Sequence, residues 1–288
     1  MNAMLDKPAA PVFPLTEDFF CDAKTAAEIG ASFHEQYGAG DPYPYICLDN
    51  FLNPQILYSV LKDLSVMPEP EASHNRAQER LKSSFNPEEL PETTRNLFRF
   101  FNSRPFLSFL SGLTGIKGLI PDPMFLGGGI HEVKNGGHLD IHADFNLHKP
   151  MRVQRRINVL IYLNEDWRPE YGGQFEIWDN NMETCLKSFV PLFNRCVVFN
   201  TTSTSLHGNP NPVNHPHHVS RRSIALYYYT ATWDGTQREH TTQFKARPGT
   251  ADRMDWKVKV REVIADLTPP IAMRAAKKML KAGGTEPA

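Results

Sequence analysis

The sequence lacks the features that would place it in several large classes. Its 288 residues hold four cysteines, Cys21, Cys47, Cys185 and Cys196, and no CxxC pair. That spacing argues against a disulfide framework or a zinc ribbon and points to a reducing, cytoplasmic setting. No apolar run reaches the length of about 18 residues that a membrane helix needs. The stretch from Met1 to Leu15 carries Asp6, Lys7 and three prolines. It has no apolar h-region, so no signal peptide is expected. Neither charge sign is in excess: 31 Lys and Arg stand against 32 Asp and Glu, for a net charge of -1. A basic track for nucleic acid is therefore not expected. There is no internal repeat and no low-complexity tract. What remains is an ordinary globular composition, 41% hydrophobic and 22% charged, on a chain long enough for one large domain. Oligomeric state leaves no trace in it.

The first 120 residues read as mostly helical. Asp22 to His34 is a plausible helix ending near Gly38. Asn53-Pro54 is an N-cap and first-turn pair, followed by Leu57, Val60, Leu61 and Leu64 at helical spacing. Residues 68–80 are polar and proline-containing, the composition of a mobile loop. Pro91 opens a third helix with Leu97, Phe98 and Phe101 on one side. Pro105 opens a fourth with Phe106, Leu110 and Leu113, stopped by Gly115. From Gly127 the character changes to short strand-like runs: Leu139–Phe145, Ile157–Leu163, Gln174–Trp178, Arg195–Phe199 and Ser223–Tyr229. Gly, Asn and Pro punctuate them as in a β sandwich or barrel. In the second run Ile157, Val159, Ile161 and Leu163 share one face, while Asn158, Leu160 and Tyr162 share the other. One face can pack under the N-terminal helices while the other lines a pocket. After Asp252 helical character returns, with Met254, Val258, Val263 and Leu267 as a loose stripe. A basic helix with Arg274, Lys277, Lys278 and Lys281 follows Pro269-Pro270. A solvated face is its default reading.

The residues that carry chemistry lie in the strand-like part. His142 and Asp144 are two apart, so on a strand they point the same way and could reach one ion at about 2.0–2.2 Å. His207, just after the Val197–Phe199 run, is a third candidate from a different strand. Two histidines and one carboxylate hold one face of an Fe(II) ion and leave the other open. His138 and Asp140 repeat the His-x-Asp pattern with the same parity, and strand alternation cannot separate the two pairs. His215, His217 and His218 rival His207 from a Pro- and Asn-rich loop. Further on, Arg221 shares a face with Ser223, Ala225, Tyr227 and Tyr229, and Arg222 faces the other way. An arginine there offers a planar fork for a carboxylate, and Ser223 can add a second hydrogen bond.

These residues occur in ordered company. Gly136 precedes His142. Then come Ile161-Tyr162-Leu163-Asn164-Glu165-Asp166-Trp167, Gly172-Gly173 before a strand, and Pro191-Leu192-Phe193-Asn194-Arg195 leading into another. His207 and Arg221 close the set. The stretch from Gly136 to Thr230 resembles the catalytic core of Fe(II)- and 2-oxoglutarate-dependent dioxygenases, in their prolyl 4-hydroxylase-like branch. The resemblance covers about a third of the chain. It implies that His142, Asp144 and His207 bind iron. It also implies that Arg221 and Tyr162 hold the distal carboxylate of 2-oxoglutarate, with O2 as oxidant. Two departures stand out. Many members of that branch have a tyrosine nine positions before the first ligand histidine, where this chain has Val133. The loop Pro210–Ser220 between His207 and Arg221 is longer than usual, and is expected near the mouth of the site.

The expected architecture is α+β. A double-stranded β-helix (jelly-roll, cupin-like) core over 121–235 is flanked by a helical region over 1–120 and a helical extension over 236–288. The expected activity is hydroxylation of an unactivated C–H bond, with release of succinate and CO2. Asp144 favours that outcome, because halogenating relatives lack the carboxylate. The substrate is a small molecule or a peptide, and the polar candidates to contact it are Asn146, Asn158, Trp178 and Asn200. The competing reading is a cupin-like jelly roll that binds a metal or sugar without oxygenase activity. A paired carboxylate anchor at Arg221 and Tyr162 discriminates, since a simple binding module has no need of one.

Overall fold

Alternating apolar and polar residues over the middle of the chain produce one large, curled, antiparallel sheet, with helices packed on its apolar side. A computed structural model describes residues 10–66, 68–233, 235, 239–253, 256 and 260. The chain divides into two units, Met1–Asp252 and Arg253–Ala288. The helices expected after Asp252 lie outside the described residues, so the architecture below is that of the first unit.

Its helices are α1 (Ala23–Ser32), α2 (His34–Gly38), α3 (Pro54–Asp63), α4 (Glu92–Phe101) and α5 (Arg104–Thr114). Each starts where side-chain chemistry dictates. Asp22 accepts from Thr25 N at the head of α1, and Asn53 accepts from Gln55 N at the head of α3, with Pro54 in its first turn. Gly115 ends α5 in the left-handed conformation. Glycines let α1 and α5 touch: a Cβ on Gly30 would meet Phe109 O at 2.1 Å, and one on Gly112 would meet Ala27 O at 2.4 Å. Phe13, Phe51, Phe98, Phe101, Phe106 and Phe109 fill the space between helices and sheet, largely in edge-on pairs.

The strands are β1 (Tyr45–Leu48), β2 (Ala72–Arg76), β3 (Glu79–Phe85), β4 (Ile120–Pro121), β5 (Gly129–Ala143), β6 (Leu147–His148), β7 (Val153–Tyr162), β8 (Phe175–Trp178), β9 (Cys185–Phe189), β10 (Cys196–Asn200), β11 (His207–Asn209), β12 (Arg221–Thr230) and β13 (Gln243–Phe244). The main path through the sheet is β1-β10-β7-β12-β5-β11-β8-β9. Sequence-distant strands thus become neighbours, as in a double-stranded β-helix. The apolar faces of β7 and β12 (Ile157, Val159, Ile161, Ile224, Leu226, Tyr228) pack against the helices. Their opposite faces line a cavity.

One segment departs from the sequence reading. Residues 68–80 are not a loop; most of them belong to the β2–β3 hairpin, which adds to the sheet through β3 and β5. Their polarity comes from facing the cavity mouth and solvent, which composition cannot distinguish from a mobile loop. Among the described residues, no helix is long and apolar enough to cross a membrane.

Candidate active site

Strict alternation would place His138, Asp140, His142 and Asp144 on one face of β5. The structure breaks that alternation with a β-bulge. On β11, two steps separate His207 from Asn209, while the paired positions on β5, His142 and Leu139, are three apart. The extra residue turns Leu139 toward the cavity beside His142 and Asp144 and turns Asp140 away. His138 donates from Nε2 to Ala77 O at 3.0 Å, and Asp140 lies 3.5 Å from His138. Neither lines the cavity. The bulge therefore separates the two His-x-Asp pairs that parity could not.

His142, Asp144 and His207 come together at the inner end of β5 and β11. Their possible ligand atoms lie within 4.8 Å of one another, and no other such group occurs among the described residues. The histidines are set for metal binding by their far nitrogens. Each Nδ1–H donates to a carbonyl, Asp140 O for His142 and Ser205 O for His207, both at 2.8 Å. That fixes the tautomer and leaves both Nε2 lone pairs free. His142 Nε2 lies 3.5 Å from Asp144 Oδ1, and His207 Nε2 lies 3.3 Å from Asp144 Oδ2. Burial alone would raise the Asp144 carboxyl. The Arg155 guanidinium, His207 and His142 outweigh it and hold the group well below the usual carboxylate range. Burial lowers His207, and Asp144 opposes that shift. Two imidazoles with their Nδ1–H groups committed to carbonyls, beside a carboxylate held low, are a donor set for a divalent ion.

Further along the same cavity stands Arg221, 4% exposed. Its Nε donates to Gly173 O at 2.7 Å, its guanidinium lies 4.9 Å from the Tyr162 ring centre, and no carboxylate among the described residues pairs with it. A buried cation without a counter-ion is costly, and burial lowers its affinity for its proton. The Tyr162 hydroxyl is buried and has no hydrogen-bond partner. Ser223 lines the cavity next to them, opposite Tyr162 in the β12–β7 ladder. Cation, phenol and hydroxyl converge where an anionic ligand would complete them.

The sequence matches the family model of the 2OG-Fe(II) oxygenase superfamily over residues 128–229, the span that holds all six of these residues. That span, about a third of the chain, is what is similar to the 2OG-Fe(II) oxygenase superfamily. Among solved structures, a prolyl hydroxylase from Trichoplax adhaerens in complex with a peptide of a hypoxia-inducible factor shares the fold at 16% identity, with a TM-score of 0.52 over 75% of this chain and 96% of that one. The prolyl 4-hydroxylase structure from Phytophthora capsici does so at 16% identity and a TM-score of 0.50, over 77% and 71%. No curated protein matches the chain. That match and the cluster of His142, Asp144 and His207 fit Fe(II) and 2-oxoglutarate as cofactor and co-substrate. The free imidazole lone pairs and the unpaired buried arginine fit those two groups.

The cavity has a volume of about 240 Å³. Its walls include Leu160, Phe175, Phe199 and Tyr227, and its mouth is set by two elements that sequence reasoning did not assign to the site. The β2–β3 hairpin brings His74, Arg76, Glu79 and Lys82. Burial would raise Glu79, but Lys82 at 2.8 Å, His74 and Arg76 bring it down to about 2. Strand β13 lies along β5, so that Phe244 pairs with His142 and its ring stands 5.4 Å from the imidazole. Behind Ser223, His131 is driven down to about 3, first by burial and then by Lys82, and its Nε2–H donates to Gly127 O.

Other sequence candidates fall elsewhere. Of the four polar residues proposed for substrate contact, Asn158 lines the cavity, but its amide is committed to Asp144 and Arg155. Asn146 accepts from His240 N, Trp178 donates to Glu176, and Asn200 accepts from the Tyr37 hydroxyl; none of the three lines the cavity. Arg222 turns outward to Glu132 at 2.9 Å. His215 packs on Trp167 and Tyr171, outside the cavity. The Pro210–Ser220 loop is not at the mouth. Its Val213 exchanges backbone hydrogen bonds with Gly136 and Gly137, behind the Arg221 end.

Arg155 was also missed. By parity it belongs with Ile157 on the apolar face. A second bulge, where Tyr228 pairs Ile157 and Tyr229 pairs Arg155, turns it inward instead. The one signal in the sequence was its charge, an expensive residue to bury on a face of isoleucine and valine.

Proposed function

We propose that this protein hydroxylates a C–H bond of a small-molecule or peptidyl substrate, using His142, Asp144 and His207 to hold Fe(II) and Arg221, Tyr162 and Ser223 to hold 2-oxoglutarate. The observation that carries this reading is the pairing, within one cavity, of two histidines with free Nε2 atoms beside an ionised carboxylate and a buried arginine that lacks a carboxylate. Bound Fe(II) and 2-oxoglutarate supply the oxidising chemistry: one oxygen atom of O2 enters the substrate C–H bond and the other ends in succinate, with CO2 released.

The protein's part is orientation and exclusion. The carbonyls of Asp140 and Ser205 fix both imidazole tautomers. Arg221, held by Gly173 O over the Tyr162 ring, offers its terminal nitrogens to the far carboxylate of the co-substrate, and Tyr162 and Ser223 add hydroxyl donors. Phe175, Phe199 and Leu160 line the space between the two ends and keep it apolar. The hairpin and β13 leave the approach to the metal face for the substrate. The four free cysteines support a reducing, cytoplasmic setting.

The deciding experiment measures succinate formed from 2-oxoglutarate with Fe(II), in the wild type and in His142→Ala. Turnover is expected in the first and a loss of at least about a hundredfold in the second. Turnover that survives in His142→Ala would overturn the ligand assignment.

A further inference from the structure

The oxygen atoms of Asp144 are not equivalent. Oδ2 accepts from Asn158 Nδ2 at 2.7 Å and is ion-paired with Arg155 Nη2 at 3.0 Å. Oδ1 has neither contact; each oxygen has one imidazole beside it, His142 Nε2 at 3.5 Å from Oδ1 and His207 Nε2 at 3.3 Å from Oδ2. Arg155 is itself immobilised. It is 2% exposed, donates through Nε and Nη2 to Asn158 Oδ1 at 2.9 and 2.8 Å, and is flanked by two rings, Tyr227 at 3.5 Å and Phe145 at 4.5 Å. Burial works against its charge, and Asp144 restores it. A buried guanidinium between two aromatic faces has little rotational freedom. The triangle Asp144–Asn158–Arg155 is closed, two of its sides by hydrogen bonds and the third by an ion pair.

We infer that Arg155, with Asn158, is a positioning residue that occupies Asp144 Oδ2 and so limits the carboxylate to one metal-binding oxygen, Oδ1. This rests on the proposed ligand set of His142, Asp144 and His207. A carboxylate free of such partners can bind a divalent ion through both oxygens. In this site the second oxygen would take a position that 2-oxoglutarate needs, because the open metal face must accept two atoms of the co-substrate and leave room for O2. Arg155 thereby protects the open face from the protein's own ligand. A supporting partner of a metal ligand changes metal-site properties by about tenfold to a hundredfold when removed.

The test is an anaerobic Co(II) titration followed by visible absorption, then a 2-oxoglutarate titration of the Co(II)-loaded protein. Wild type, Arg155→Met, Arg155→Lys and His142→Ala are compared. Arg155→Met is expected to bind Co(II), to show shifted d–d bands as the coordination number changes, and to bind 2-oxoglutarate about tenfold to a hundredfold more weakly. Arg155→Lys, with the charge but not the fork, is expected to fall between. Wild-type bands and wild-type 2-oxoglutarate affinity in Arg155→Met would overturn the inference. So would loss of Co(II) binding, since freeing an oxygen adds a ligand rather than removing one. If Arg155→Met does not fold, Asn158→Ala, which removes the amide donor to Oδ2, carries the same expectation. His142→Ala separates the two readings: wild-type Co(II) affinity there sinks the ligand set, whatever Arg155 does.

Discussion

Arg221 and His131 face the same cavity, and each has a measurable consequence. Replacing Arg221 by Met removes a buried cation that has no carboxylate of its own to leave behind. The loss should fall on co-substrate binding: the KM for 2-oxoglutarate rises about tenfold to a hundredfold, as for a charge-assisted hydrogen bond, with a smaller change in kcat. Steady-state kinetics with 2-oxoglutarate varied will show it. His131 is a pH liability. Its folded value of about 3 lies below its ordinary value of 6.5. Between these the unfolded chain holds a proton that the folded protein does not. Stability therefore falls as pH drops below 6.5, by about 1.4 kcal/mol per pH unit. His131→Gln, which keeps a donor for Gly127 O, should flatten that fall, read as melting temperature at pH 7.5, 6.5 and 5.5. An equal slope in both proteins would refute the assignment. His142, Asp144, His207 and Arg221 were legible as candidates because motif and order mark them. Arg155 was not, because its inward orientation depends on an extra residue in β7 that periodicity assigns to the opposite face.

At the scale of elements, the turn before β8 sets the co-substrate end. Gly173 has φ of +68°, and a Cβ there would come within 2.9 Å of Arg221 Cδ and 3.2 Å of Val213 Cγ2. The residue must be glycine both for its backbone and for the arginine it carries. Gly173→Ala should raise the KM for 2-oxoglutarate more than it lowers kcat, and a variant with unchanged KM would show that the turn does not position Arg221. Most elements follow from local chemistry. The capped helices begin at Asp22 and Asn53 as their side chains require, the runs at 195–199 and 223–229 are strands within a residue or two, and the run at 157–163 belongs to a strand that starts four residues earlier, at Val153. The β2–β3 hairpin was not legible. Its residues are polar on both faces, one turned to solvent and the other to a charged cavity mouth, so no alternation survives in the sequence. Strand β13 is two residues long and owes its place to pairing with β5, a partner that no local signal names.

At the scale of the molecule, the helices and the site share a single wall. Phe106 in α5 stands 6.0 Å from Tyr228, on the strand whose other face carries Arg221 and Ser223. Phe106→Ala should cost about 3–5 kcal/mol and lower the melting temperature. The KM for 2-oxoglutarate should stay near the wild-type value in the cold, because the truncated ring lies behind the sheet and not in the cavity. A large rise in KM at low temperature would show that the helical layer tunes the site as well as supporting it. The sheet's tolerance is less generous at β5. This strand spells His-x-Asp twice, and one surplus residue decides which copy looks inward. Deleting Asp140 would restore strict alternation back to Leu139, leave His138 on the face it already occupies, and remove the carboxylate of the outward copy. The enzyme's identity at this strand is thus a matter of counting, and insertions or deletions there should be far more damaging than substitutions of the same residues.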